Sequence, residues 1–423
     1  DSKKAKDAIP NIYFGPGGFK DLAHAIRKIH YNDKDYFSTK TKLINELGFI
    51  NDSASIESVV KELKSIYDAA GDTSTFQNAV IKALSENKTK ESYLLLSELL
   101  IQDPPVFNNN SDYNYLFQNI ADSLELGRLL FPNLLQISTV DNYKADIRSL
   151  LALLVDSGFI SGNEYKSQFS QILFEARIQL KKQQVKDEGT LQKKNDDGYA
   201  NEENDSDRLE DEDFNELQDY AVLLMPFYDS ASVKSFFNKL MRSRDPSIRL
   251  NAAILLLRNN KPVEDSLLKS LASLDQYRSN LLKRLEEIHR EDKFPVSFRS
   301  QELIARSQLV QSHSAGEFAA IELVDKKIAQ YKNNKGYVYF FKYKLQNDDE
   351  WQIGISGLQP LNSSLVNSNA ELVNASGKRL STSQPVLEQF NTQLKKLIFS
   401  KYKSAASFYL DKDYYQSRSD DDD

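Results

Sequence analysis

The sequence predicts a mainly α-helical chain: helical hairpins stacked in the manner of an α-solenoid, followed by a small α+β domain built on an antiparallel meander. Three observations predict it. Apolar residues recur at helical spacing through most of the first three hundred positions. Glycine (15) and proline (11) are scarce for a chain of 423 residues, about half their usual share, which disfavours an all-β protein full of tight turns. Near Glu317 the apolar period switches from that of a helix to that of a strand.

Taken in order, the only glycine-rich stretch is Tyr13-Phe-Gly15-Pro-Gly17-Gly18-Phe-Lys20-Asp21. A phosphate-cradling loop ends in Gly-Lys-Ser/Thr, whereas here Phe19 interrupts and Asp21 follows Lys20, so the stretch reads as an entry turn into the first helix. Ile56, Val59, Val60, Leu63 and Ile66 form an amphipathic stripe. Asp72 is placed to cap the next helix, with Phe76, Ala79, Val80, Ala83 and Leu84 inside. A third helix runs from about Lys90 to Ile101 and stops at Pro104-Pro105. A longer one is expected from Asp112 to Leu130. Asp141 then caps a helix with Tyr143, Ile147, Leu150, Leu151 and Leu154 inside, and Gly158 is its stop. Phe169, Ile172, Leu173, Ala176 and Leu180 mark a further helix.

Charge is unevenly placed. Of the net −7, the stretch from Asp187 to Asp213 holds −9 and leaves the rest at +2. With few apolar residues to bury, that stretch reads as a flexible linker or surface loop. A calcium loop is the alternative, but Leu209 stands where a third ligand is wanted and no glycine follows. Asp420 to Asp423 end the chain as another acidic tail.

After the linker the helices resume. Val233, Phe236, Phe237, Leu240 and Met241 form one; Asp245 caps the next, with Pro246 in the first helical position, where its missing N–H costs nothing. Ile248, Arg249, Ala252, Ala253, Leu256 and Leu257 follow. This helix, Asp-Pro turn and helix with arginine three residues after the proline resembles a HEAT-type repeat. Such units bury their apolar faces only by stacking, so several should occur together; an irregular helical bundle is the plainer alternative. Ile321 to Tyr331 fits strand or helix. Asn333-Asn334-Lys335-Gly336 is a turn, and Tyr337 to Leu345 alternates at period two, as a strand does. Trp351 to Ile355 is a second strand, with a weaker one near Glu371 to Val373. Pro385 opens a helix carrying Val386, Phe390, Leu394, Leu397 and Ile398, and Tyr402 to Leu410 ends the domain as strand or helical turn. The expected organisation is a helical domain over 1–185, an acidic flexible linker over 186–213, a HEAT-like helical domain over 214–312, an α+β domain over 313–410 and a disordered acidic tail over 411–423.

Composition removes many chemistries. There is no cysteine, so disulfides, thiolate zinc sites and cysteine nucleophiles are excluded. The four histidines, His24, His30, His289 and His313, form no short-spaced ligand pair. No Gly-x-Ser-x-Gly elbow occurs, and the pairs Glu286-Glu287 and Asp348-Asp349 read as solvated faces. No catalytic residue, cofactor or metal is therefore expected. No basic cluster suited to nucleic acid is present, and no apolar run reaches membrane-spanning length. The remaining candidate is a binding strip on the aromatic strand: Tyr339, Phe340, Phe341, Lys342 and Lys344 with Trp351. Phe340, Lys342 and Lys344 share one face, and would suit a peptide or glycan if that face is open. The alternative is that the tyrosine face packs and the lysines guard a sheet edge.

The strings Gln102-Asp-Pro-Pro-Val-Phe107, Ala221-Val-Leu-Leu-Met-Pro-Phe-Tyr-Asp229, Tyr337-Val-Tyr-Phe-Phe-Lys-Tyr343 and Gly354-Ile-Ser-Gly-Leu-Gln-Pro360 resemble the long C-terminal region of large bacterial TraB/GumN-like proteins. The resemblance implies an accessory region of a larger protein with a metal-dependent, hydrolase-like core, and a cell-envelope or exported location; a cytoplasmic one stays open. This chain lacks the family's Gly-x-x-His element, so no catalytic residue carries over. The expected function is a non-enzymatic scaffold or protein-binding module. The alternatives are a substrate-recruiting part of a linked hydrolase, and carbohydrate or peptide binding by the aromatic sheet.

Overall fold

The structure, a computed structural model, describes residues 18–30, 35–70, 74–102, 119–137, 144–196, 216–313, 318–346, 348–369, 371–375 and 377–417. It is mostly helical and ends in a four-stranded antiparallel sheet beside a C-terminal helix. The chain forms two compact units that divide between Phe237 and Asn238. The expected boundary at 186–213 thus falls inside unit 1, whose helices on either side of it pack together. No described helix is long and apolar enough to cross a membrane.

Unit 1 contains α1 (Gly18–Lys28), α2 (Tyr36–Gly48), α3 (Ile56–Ala69), α4 (Ser74–Asn87), α5 (Lys90–Gln102), α6 (Leu124–Ile137), α7 (Lys144–Asp156), α8 (Phe169–Asp196) and α9 (residues 216–224). From α1 to α7 each helix packs on those one or two places along the chain, the neighbour-only pattern of stacked helical hairpins. One continuous apolar core runs through them from Leu22 to Leu223 and includes the predicted inward residues Val59, Leu63, Phe76, Val80, Leu84, Ile147, Leu150 and Leu154. Gly48 lets α2 meet α4 closely, because a Cβ there would sit 2.7 Å from the Ala83 carbonyl oxygen. Asn87 then closes the end of α2, its buried amide donating to the carbonyls of Gly48 (3.1 Å) and Ile50 (2.8 Å). Gly158 ends α7 at φ +73°, as its residue type predicts.

Some expectations need amendment. The Asp72 and Asp141 caps and the Tyr13–Gly17 turn lie outside the described residues. Of the helix expected over Asp112–Leu130, residues 112–118 lie outside the described residues; 119–121 are helical, 122–123 form a turn, and α6 then continues past Leu130 through Pro132 to Ile137. The linker expected from 186 begins as helix, since α8 runs on to Asp196. Helix α8 as a whole is rich in Lys and Gln, which are good helix formers, and most of the segment's carboxylates come later; those from Asp197 to Asp213 lie outside the described residues.

The division between the units falls within α10 (Ala231–Met241). Unit 2 continues with α11 (Pro246–Arg258), α12 (Asp265–Ser273), α13 (Asp275–Glu287) and α14 (Gln301–Gln311). Asp245 caps α11 as expected, its carboxylate accepting from the Ser247 N–H at 2.7 Å, with Pro246 first in the helix. The helices enclose Leu250, Leu257, Leu271, Leu281, Leu282, Leu285 and Phe294. The sheet follows in the order β1 (Phe318–Tyr331), β2 (Asn334–Leu345), β3 (Asp348–Gln359) and β4 (Leu372–Asn374). The ambiguous Ile321–Tyr331 segment is therefore strand. Helix α15 (Val386–Ser417) closes the fold. It includes 402–410 and seven residues of the tail expected to be disordered; 418–423 lie outside the described residues.

Both sheet faces are packed. Val338, Phe340, Ile353 and Ile355 meet Phe390, Leu394 and Leu397 of α15. Tyr339, Phe341 and Tyr343 meet Ala305 and Leu309 of α14. Gly354 makes the second contact possible, since a Cβ there would lie 2.6 Å from a Leu309 methyl. Helix α14 lies over β2, β3 and β4, while Leu323 and Ile328 on this side of the edge strand β1 stay exposed.

Candidate binding cleft

The strip residues do not form one surface. β2 is a central strand between β1 and β3, not an edge. Phe340 is fully buried and stacked on Phe390 at 5.1 Å. Tyr339 and Phe341 point to the opposite face and are buried under α14, where the Tyr339 hydroxyl donates to Gln301 Oε1 at 3.1 Å. Burial pushes that phenol up to about 12. An exposed strip containing these three aromatics is thus corrected. The sequence shows the alternation, but not that a helix covers each side. Lys342, Lys344 and Trp351 do come together: the two ammonium groups lie 4.3 and 5.2 Å from the Trp351 ring, and Lys342 also pairs with Glu322 at 2.7 Å. The lysines serve the indole and the neighbouring strand rather than an open edge.

The geometry offers a different site. Between α13, the end of α14 and the start of β1 lies a cleft of about 680 Å³. It exists because α14 sits over the inner strands, so β1 overhangs beside α13. Its hydrogen-bonding groups come from separate elements. Tyr277 and Ser247 join their hydroxyls at 2.8 Å. The Asp275 carboxylate is held by Arg306 (2.7 Å) and by the buried Arg278. The Gln311 amide donates to the Gln276 carbonyl at 2.8 Å. Asn280 lies on the wall, and Phe318 to Ile321 form the far side.

His313 closes one end. Its Nδ1 lies 3.1 Å from the Ala375 carbonyl, and a carbonyl only accepts, so Nδ1 carries the proton and Nε2 of the neutral ring is an acceptor. That Nε2 is enclosed and has no partner among the described residues. The ring packs on Phe318 (5.3 Å) and Tyr343 (5.8 Å), so His313 is half-buried, whereas His24, His30 and His289 are exposed. The cleft's hydroxyls bond to each other and its carboxylate to two guanidiniums. These groups offer hydrogen bonding and polar recognition. Along β1 the cleft continues past the half-buried Ile321 to two exposed apolar residues, Leu323 (41% exposed) and Ile328 (54%).

A second polar cluster lies in unit 1. Arg148 bonds Glu216 (2.7 Å), lies 3.6 Å from Asp219 and stacks 4.9 Å from the Tyr220 ring. Tyr220 in turn donates to Glu175 at 3.0 Å, and Ser149 to Asp219. Desolvation raises the Asp219 carboxyl above its ordinary range, against the lowering pull of Ser149 and Arg148. The cluster ties α7, α8 and α9 together, and holds α9 in place across the acidic segment. The tempting Glu286 accepts from Ser368 at 2.6 Å, and Asp348 accepts from the Glu350 N–H and the Gln352 amide; both anchor loops.

No family model matches the chain, and no curated protein or solved structure shows significant similarity to it. The strings behind the TraB/GumN resemblance fall in α9 and the turn after it, in β2 and in β3, largely buried positions; Asp103 to Phe107 lie outside the described residues. Sequence reasoning missed the cleft because its residues are scattered from Ser247 to Ile321 with no common spacing. Only Asp275 and Arg278, an i,i+3 pair, carry a local signal.

Proposed function

We propose that the chain is a non-enzymatic scaffold or protein-binding module that holds a partner polypeptide at the cleft of unit 2. The observation that carries this is the cleft itself: a hollow of about 680 Å³ walled by amide, hydroxyl and guanidinium side chains of the helices on one side and by the first residues of β1 on the other. Such a lining matches what polypeptide offers, amides and mixed side chains, better than a compact apolar ligand. The stacked helices of unit 1 support the reading by analogy of fold, since such stacks commonly present extended binding surfaces. The partner is a separate protein or a further domain of a longer polypeptide.

A photo-crosslinking residue at Asn280, in the cleft, tests this in cells that make the protein, with Lys269 on α12 as a control outside the cleft. A discrete polypeptide adduct from position 280 and not from 269 is expected, and its mass separates a second protein from an intramolecular link. Adducts at 280 with glycan alone, or none above the control, would overturn the proposal.

A further inference from the structure

We infer that β1 is a self-complementary edge through which two copies of the chain pair antiparallel, about a twofold axis between Val324 and Asp325. This interface shares Ala320 and Ile321 with the far wall of the cleft, but it forms from the chain alone, without the cleft's partner. The edge is long: β1 spans Phe318–Tyr331, β2 occupies one side, and no described strand pairs with the other. Its unpaired amides and carbonyls recognise another strand, not a helix.

Which residues of β1 share a face follows from its register with β2. Ile321, Leu323, Lys326 and Ile328 stand opposite Tyr343, Phe341, Tyr339 and Tyr337, on the α14 side. Ala320, Glu322, Asp325, Lys327 and Ala329 stand opposite Lys344, Lys342, Phe340, Val338 and Gly336, on the α15 side. Val324 is the extra residue of a bulge, and it packs with the α15-side cluster. Directly opposed residues of an antiparallel pair must share a face. The bulge breaks the period of two, so among symmetric self-pairings only one keeps every pair from Ala320 to Ala329 on a common face. That register places Ile321 against the partner's Ile328, Leu323 against the partner's Lys326, Glu322 against the partner's Lys327 and Ala320 against the partner's Ala329.

Shifting the register in either direction sets a residue of one face against one of the other. Shortening it by two also sets Glu322 against the partner's Asp325, two like charges. The unique register instead gives two Glu–Lys pairs and covers Leu323 and Ile328, the two most exposed apolar side chains of the sheet. The strand's own Asp325 carboxylate accepts from the Lys326 N–H at 2.8 Å, beside the axis.

Light scattering and sedimentation of the full chain from about 1 to 100 µM test this, a range in which a modest edge-strand pairing is measurable. The wild type is expected to approach twice the 48.3 kDa chain mass. Glu322→Lys and Lys327→Glu each set like charges opposed twice and should weaken the dimer at least about ten-fold. An equimolar mixture of the two restores complementarity at both pairs and should regain wild-type association. Glu322 also pairs with Lys342, so each variant is first checked for folding by circular dichroism. Ile328→Asp, at an exposed position, supplies a substitution that leaves the core intact and should also dissociate the dimer. A wild type monomeric throughout, single variants that dimerise normally, or a mixture that fails to associate would each overturn the inference.

Discussion

Phe340→Ala gives the sharpest test of how the aromatic strand is used. Phe340 has no exposed surface, stacks on Phe390 at 5.1 Å with an interplanar angle of 22°, and sits among Ile355, Val338 and Leu394. Truncating a phenylalanine so enclosed leaves a cavity that the sheet and α15 cannot both close. The expected cost is about 3–5 kcal/mol, including the lost ring pair. The chain has one tryptophan, Trp351, on β3 beside this core, so indole fluorescence in a urea titration reports unit 2 alone. With a denaturant slope of about 2 kcal/mol per molar, the midpoint should fall by roughly 2 M. Lys342→Ala is the control. Its ammonium lies over the indole at 4.3 Å and pairs with a half-exposed glutamate, so the emission should change while stability moves by less than about 1 kcal/mol. A Phe340→Ala midpoint within about 0.5 M of wild type would show the ring is not in the core, and the exposed-strip reading would return.

Further outcomes follow from other sites. Gly48→Ala should destabilise unit 1 by about 1–3 kcal/mol, because its Cβ meets the Ala83 backbone rather than a movable side chain; helical circular dichroism against temperature measures it. Asp245→Ala should cost about 1 kcal/mol by freeing the Ser247 N–H, and Asp245→Asn should recover most of the loss. Asp219 has a carboxyl raised by desolvation, so the folded state holds its proton to higher pH than the unfolded one. The contribution of Asp219 to stability is then largest at low pH and declines as pH rises through the folded titration. Relative to Asp219→Asn, wild type should therefore gain stability on acidification into the carboxylate range, measured as the difference between urea midpoints; an unchanging difference would contradict that assignment.

Much of the fold was legible because it rests on local rules. The Asp245-Pro246 start, the Gly158 stop and the inward stripes of α3, α4 and α7 depend on capping geometry, a positive φ and helical periodicity, all written within a few residues. Where the reading stopped short, non-local packing decided. Lys and Gln carried α8 onward, and a tertiary seat kept α6 going through Pro132. The aromatic alternation of β2 was read correctly as two faces, yet which face is covered depends on α14, about thirty residues upstream, and on Gly354 in the next strand giving Leu309 room. The cleft was illegible for the same reason: it is the space left where α14 does not reach β1.

The one segment the sequence left undecided, Ile321 to Tyr331, is also the most informative in the structure. Leu323-Val324 places two apolar residues side by side, which breaks period two and makes strand and helix equally good fits. In the sheet that break is the bulge at Val324, and the slip it causes puts Glu322 and Lys327 on one face although an odd number of residues apart. A regular strand with this composition would place them on opposite faces, and symmetric pairing could not then set one against the other. The irregularity that defeats a periodicity argument thus selects a single self-pairing register. Deleting Val324 makes that concrete. It would restore period two and leave an uninterrupted ladder to β2, so the sheet should still fold, as Trp351 emission would show; the same face-matched pairs stay possible, but Asp325 then opposes its own copy at the axis and registers shifted by two residues match faces as well, so pairing should weaken and lose its single register. A deletion variant that folds and still pairs with wild-type affinity would mean the bulge has no part in recognition.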